Sequence, residues 1–127
     1  MNPAQFAQVS SLPAEQRYRH FLGKVADYEE LWTLKGEDGF VLFASKDGAQ
    51  CIPVWPHPEY ASSHETDDWI GSTPEKITLD EFRKRWIPGI KKDERMIVVF
   101  PTHEAGGVVI DPVDIEADLA DEVAQYE

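Results

Sequence analysis

The stretch Glu30–Val54, "ELWTLKGEDGFVLFASKDGAQCIPV", decides the fold class. Three short apolar runs stand in it, "ELWTLK" (30–35), "FVLFAS" (40–45) and "AQCIPV" (49–54). "GEDG" separates the first pair and "KDG" the second. Asp38-Gly39 and Asp47-Gly48 are hairpin signals, because glycine reaches the positive φ that tight turns need. The reading is a three-stranded antiparallel meander. Pro53 has no amide hydrogen, so the third strand is expected at a sheet edge or to end there.

Working outward, the period changes from two to 3.6. Residues 12–26, "LPAEQRYRHFLGKVA", carry Tyr18, Phe21, Leu22 and Val25 at helical spacing, and these should face the core. Pro13 suits a first turn and Ser11 is its candidate cap. Residues 1–10 are expected as a loosely attached helix opened by Pro3. After the meander, Pro56 and Pro58 fix φ at the start of a short helix over 58–65. Trp55-Pro56 is a candidate cis bond, with trans the more common form for any such pair. A short strand near 75–77 leads to a helix from 79 to about 87, capped by the Thr78/Glu81 box and stopped by Pro88-Gly89. "RMIVVF" (95–100) is the most apolar strand and is expected at the centre, with "VVI" (108–110) as its hairpin partner. Asp111-Pro112 opens the last helix, whose stripe is Ile115, Leu119, Val123 and Tyr126. Residues 111–127 of this helix hold seven Asp/Glu and no Lys or Arg.

The expected class is therefore α+β, a single domain over residues 1–127. It consists of a mostly antiparallel sheet of about five to six strands, meander plus C-terminal hairpin, covered by about four helices. At 127 residues the chain is long enough to bury about two-thirds of its unfolded surface.

Charge and composition narrow the function classes. Twelve Lys+Arg against twenty-four Asp+Glu give a net charge of −12. That argues against a phosphate backbone and against anionic membrane surfaces. It favours solubility, or attraction to a basic partner. The opening Met-Asn-Pro-Ala-Gln has neither a basic n-region nor an apolar run, so no leader peptide is expected. The single cysteine, Cys51, cannot close an internal disulfide, which fits the cytosol.

No residue pattern names a reaction. Cys51 with His57 would need a hydrogen bond and an activating environment, and a cysteine in a β run is usually a small buried hydrophobe. His57, His64 and Asp68 fall near one another but match no ligand signature; histidines here are read first as surface residues or helix-end caps. No phosphate loop or dinucleotide fingerprint is present, and no cofactor is expected. Trp32, Trp55, Trp69 and Trp86 are chiefly core material. Trp55 is the exception, because its flanking prolines push it toward an edge. The candidate binding surface is therefore Trp55, His57, Tyr60 and Trp69, an aromatic rim beside prolines of the kind that lines peptide grooves. The competing site is a metal, small-molecule or catalytic one around Cys51, His57, His64 and Asp68. A protein partner, including a second copy of the chain, is the expected class of partner, with no nucleic acid and no membrane.

Several segments recur together in a known order. They are "LPAEQRYRHF" (12–21), "FASKDG" (43–48), "PVWPHPEYA" (53–61), "ITLDEF" (77–82), "WIPG" (86–89), "VFPT" (99–102) and "GVV" (107–109). This order resembles the bacterial domain-of-unknown-function family DUF2750, from about Ser11 to about Leu119. The resemblance implies a small cytosolic bacterial protein and carries over no catalytic residue. The layout is more loosely similar to the SseB N-terminal domain family, which supports fold more than function.

Overall fold

The computed structural model describes residues 3–37, 39–44, 48–63, 71–102 and 106–125. Two helices open the chain, α1 (Pro3–Ser10) and α2 (Ala14–Tyr28), followed by β1 (Glu30–Gly36), β2 (Gly39–Phe40), β3 (Phe43–Ala44) and β4 (Gln50–Val54). A short helix α3 (Pro58–Ser62) and β5 (Thr73–Thr78) precede a continuous helical run. That run is α4 (Leu79–Glu81), a π-helical turn (Phe82–Trp86) and α5 (Ile87–Lys92). β6 (Met96–Val99), β7 (Val108–Ile110) and α6 (Pro112–Ala124) close the fold. The class is α+β, as the sequence implies.

The strands form two sheets rather than one, in the orders β2-β1-β5 and β3-β4-β6-β7. The meander is therefore corrected. Both hairpins form, with Gly39 at φ 122° and Gly48 at φ 83°, but the middle run splits between the sheets. The reason lies along β1. Its end is taken by β2 through Lys35↔Phe40, and Val41 N–H still donates to Leu34 O at 3.0 Å. Beyond Leu34 that flank belongs to β4. Thr33 Oγ1 donates to Pro53 O at 2.7 Å, and Trp32 and Trp55 exchange backbone hydrogen bonds of 2.9 and 2.8 Å. The run 40–45 must leave β1 at Val41 and find β4 instead. β1 and β4 thus join the two sheets.

β4 is not an edge strand; it pairs with β3 on one side and, in parallel, with β6 on the other. Pro53 is tolerated because successive residues of a strand point their polar groups to opposite sides. Val54 O faces β6 and accepts from Phe100 N at 2.8 Å, whereas Pro53 O faces Thr33. The missing proline amide is on the β1 side and removes nothing from the β4–β6 ladder. As expected, β6 is central and pairs antiparallel with β7.

Local signals set the helix ends. Thr78 Oγ1 accepts from Glu81 N at 3.1 Å and Asp111 Oδ1 from Val113 N at 2.8 Å. Ser11 does not cap α2: Pro13 is the N-cap, and Ser11 Oγ donates to Ala7 O at 2.7 Å, closing α1 instead. Pro88-Gly89 does not stop the helix after Thr78, which runs on to Lys92. The π-helical turn explains this. Ile87 N–H bonds back to Phe82 O, five residues earlier, and the widened turn makes room for a proline ring where an α-turn would clash. Among the described residues no peptide bond is cis, so Trp55-Pro56 is trans.

The core joins Phe21 and Val25 of α2, Leu31 and Leu34 of β1, Val54 and Trp55, Ile77, Phe82, Ile97 and Val99 of β6, and Ile115 and Leu119 of α6. The acidic α6 therefore docks by its apolar stripe; Tyr126 lies outside the described residues. Arg83 makes a two-pronged ion pair with Glu116 at 2.9 Å, and the Tyr18 hydroxyl donates to Asp118. Arg17, buried in α2, donates to the carbonyls of Leu12, Phe100 (3.1 Å) and Gly106 (2.8 Å). It ties the loop after β6 to the helix. No helix among the described residues is long and apolar enough to cross a membrane.

Candidate functional site

The turn from β4 into α3 is built by the prolines and a histidine. His57 sits at φ −151°, ψ 144°, the extended conformation of an N-cap, and its Nδ1 accepts from Glu59 N at 3.1 Å. An accepting Nδ1 places the ring proton on Nε2, so His57 offers an N–H donor on its outer edge. Pro58 follows at the first helical position, where a missing amide costs nothing. This turn sets Tyr60 in the middle of an aromatic group. Tyr60 stacks on Phe6 of α1 with centroids 4.9 Å apart and 17° between planes, and meets Phe100 at 4.6 Å. His57 stands edge-on to Tyr60 at 6.3 Å.

Beside this group lies a cleft of about 220 Å³. Three segments line it: Gln5 from α1; His20, Lys24 and Tyr28 from α2; and Pro56, His57 and Tyr60 from the β4–α3 turn. Lys24 Nζ lies 5.6 Å from the centre of the Tyr28 ring, and that ring is 61% exposed. Burial, and then the charge of Lys24, lower the His20 pKa below its ordinary value, which favours the uncharged imidazole. Burial, and then Glu59, push the Tyr60 phenol up to about 12, so it stays an O–H donor. Tyr60 is 3% exposed, and its hydroxyl is buried with no hydrogen-bond partner among the described residues. A buried hydroxyl left so is a standing cost of about 1–3 kcal/mol, and such groups call for an explanation.

The sequence-predicted residues are placed as follows. His57 and Tyr60 meet in the cleft. Trp55 does not; it is fully buried, its indole N–H donates to Pro101 O at 3.0 Å, and its backbone bridges to Trp32. Its expected place at an exposed rim is corrected, because the bridge between the two sheets carries it inward. Cys51 is also buried, in β4, and its thiol donates to Ala49 O at 3.7 Å; it does not line the cleft. His64, Asp68 and Trp69 lie outside the described residues. Among the described residues no three His, Cys, Asp or Glu side chains gather in a group able to hold a metal ion. Sequence reasoning gave no role to Gln5, His20, Lys24 or Tyr28. The available signal was His20, Lys24 and Tyr28 at i, i+4 and i+8, a polar and aromatic stripe beside the core stripe of Phe21 and Val25.

Fold and cleft together define a small two-sheet α+β domain with a mixed polar and aromatic cleft against its N-terminal helices. The profile of the family described as "Protein of unknown function (DUF2750)" matches residues 18–119. The chain belongs to that family. No curated protein matches the chain.

Proposed function

We propose that this chain is a cytosolic bacterial binding module of a regulatory, non-enzymatic kind, which recognises a small ligand in the cleft between α1, α2 and the β4–α3 turn. The observation that carries the reading is Tyr60: a buried hydroxyl without a partner, on a side chain that lines a cleft assembled from three separate segments. The cost of an unsatisfied donor, carried on a side chain that lines a cleft, is the mark of a position kept for binding. The reading is tested by titrating a library of small metabolites into ¹⁵N-labelled protein. Binders should shift the amides of Gln5, His20, His57 and Tyr60. A library in which nothing binds, or in which binders shift other regions only, ends the reading.

A different observation favours protein association as a second reading. Phe40, 40% exposed, stands edge-on to Trp86 at 4.6 Å, in a shallow groove that also holds Ile52 and Ile90. Exposed apolar patches of this kind mark association surfaces. Sedimentation equilibrium should give a dimer for the native chain and a monomer for Phe40→Ser; a monomer for both removes the two-copy version.

A further inference from the structure

Charge is distributed unevenly over this molecule. The chain holds twice as many acidic as basic residues, twenty-four against twelve. The cleft at the β4–α3 turn departs from that ratio: among the described residues its lining includes Lys24 and no Asp or Glu. The neighbouring groove between α2 and α6 follows the rest of the chain, with Glu15, Asp118, Asp121 and Glu122 beside Arg19. Among the described residues Lys24 makes no ion pair, and an unpaired ammonium at a cleft is available to an external anion.

The hydrogen-bonding groups point the same way. The cap bond to Glu59 N commits His57 Nδ1 as an acceptor, which leaves Nε2–H as a donor. Tyr60 holds a buried O–H without a partner among the described residues. Lys24 adds ammonium donors and no acceptor. Such a set is complementary to an acceptor-only group, and a carboxylate is the compact group that accepts from several donors at once.

Size and wall shape restrict the rest of the ligand. The cleft measures about 220 Å³. It falls below the usual range for drug-sized ligands, about 300–1,000 Å³. The walls are flat: the Tyr60 ring, held in plane by its stack on Phe6; the edge-on His57 ring; Pro56; and the exposed Tyr28 ring with Lys24 over it. A flat apolar body of about one ring fits between them.

We infer that the cleft selects a small organic carboxylate with a flat, one-ring body, paired by Lys24 and oriented by His57 and Tyr60. This rests on the reading of the cleft as the recognition site. The probes are benzoate and its neutral counterpart benzamide, titrated into the full-length ¹⁵N-labelled protein at neutral pH. Charge-assisted bonds are roughly twice as strong as neutral ones, so benzoate should bind about tenfold more tightly than benzamide. Its shifts should centre on Lys24, His57 and Tyr60. Lys24→Gln should remove that preference, and Lys24→Arg should restore it. Lys91→Gln, on the exposed surface of α5, should leave both affinities unaltered. Equal binding of benzoate and benzamide overturns the anion selection but leaves the cleft reading standing. Benzoate preference that survives Lys24→Gln, or falls equally in Lys91→Gln, overturns the assignment to Lys24. If neither probe shifts the cleft amides, the one-ring carboxylate assignment is overturned, and the metabolite library then decides separately whether the cleft binds anything.

Discussion

Replacing Tyr60 with Phe should stabilise the unliganded protein. The substitution removes one oxygen and leaves the ring that stacks on Phe6 at 4.9 Å and meets Phe100 at 4.6 Å. Apolar packing is therefore nearly unchanged, and the volume lost is small. What disappears is a buried hydroxyl with no partner among the described residues, a cost of about 1–3 kcal/mol. The lower end is the better guide, because the surroundings relax around a phenol that has been there throughout; the expected gain is about 1 kcal/mol. Unfolding entropy near the midpoint is roughly 2.1 cal/mol/K per residue, about 0.27 kcal/mol/K for 127 residues. The melting temperature should then rise by about 4 °C. Calorimetry measures this directly. Urea titration gives an independent check, with a higher midpoint at constant slope. The same variant should bind the cleft ligand more weakly, since positions kept for function are commonly held at the expense of stability. An unchanged or lower melting temperature would refute the reasoning, because it would mean that the hydroxyl is already satisfied in the unliganded protein.

Three further outcomes follow from other parts of the fold. Gly107→Ala would place a methyl carbon 2.1 Å from Val99 O, a backbone atom that cannot swing away; a loss of about 3 kcal/mol or more is expected by chemical denaturation, and a native midpoint would contradict it. Arg17→Met removes the donors that serve Leu12, Phe100 and Gly106 carbonyls, which should cost about 3 kcal/mol and raise hydrogen exchange around Phe100; a loss under about 0.5 kcal/mol would count against that role. His20 is held below its ordinary value of 6.5 by burial and then Lys24, so the unfolded chain takes up its proton first. Stability should hold above that value and fall as pH drops below it, and His20→Gln should flatten the fall; equal slopes for both proteins between about pH 7.5 and 5 would argue against it.

The readable part of the fold is the part written in neighbouring residues. Phe21, Leu22 and Val25 lie within one or two helical turns of each other, so their common face is visible without knowing what covers it. Thr78 and Asp111 reach amides two or three residues on, and both caps form as their spacing implies. Gly39 and Gly48 take their positive φ within their own connections, and both strand pairs form. At the site, only His57 and Tyr60 were legible, because the prolines mark the turn that presents them.

The amino-acid sequence by itself thus determined the α+β class, the helices α2 and α6, the caps, the hairpins and the unusual β4–α3 turn, since each depends on atoms a few residues apart. Only the tertiary structure decided the rest. It divided the run 40–45 between two sheets, because β4 occupies the flank of β1 that the run would otherwise follow. It set β4 parallel to β6 and carried Trp55 into the interior through its bridge to Trp32. It also brought Gln5, His20, Lys24 and Tyr28 against His57 and Tyr60. Hydrophobic period reports which face of an element is covered, not which element covers it, and a cleft made from three separate segments exists only once those elements have met.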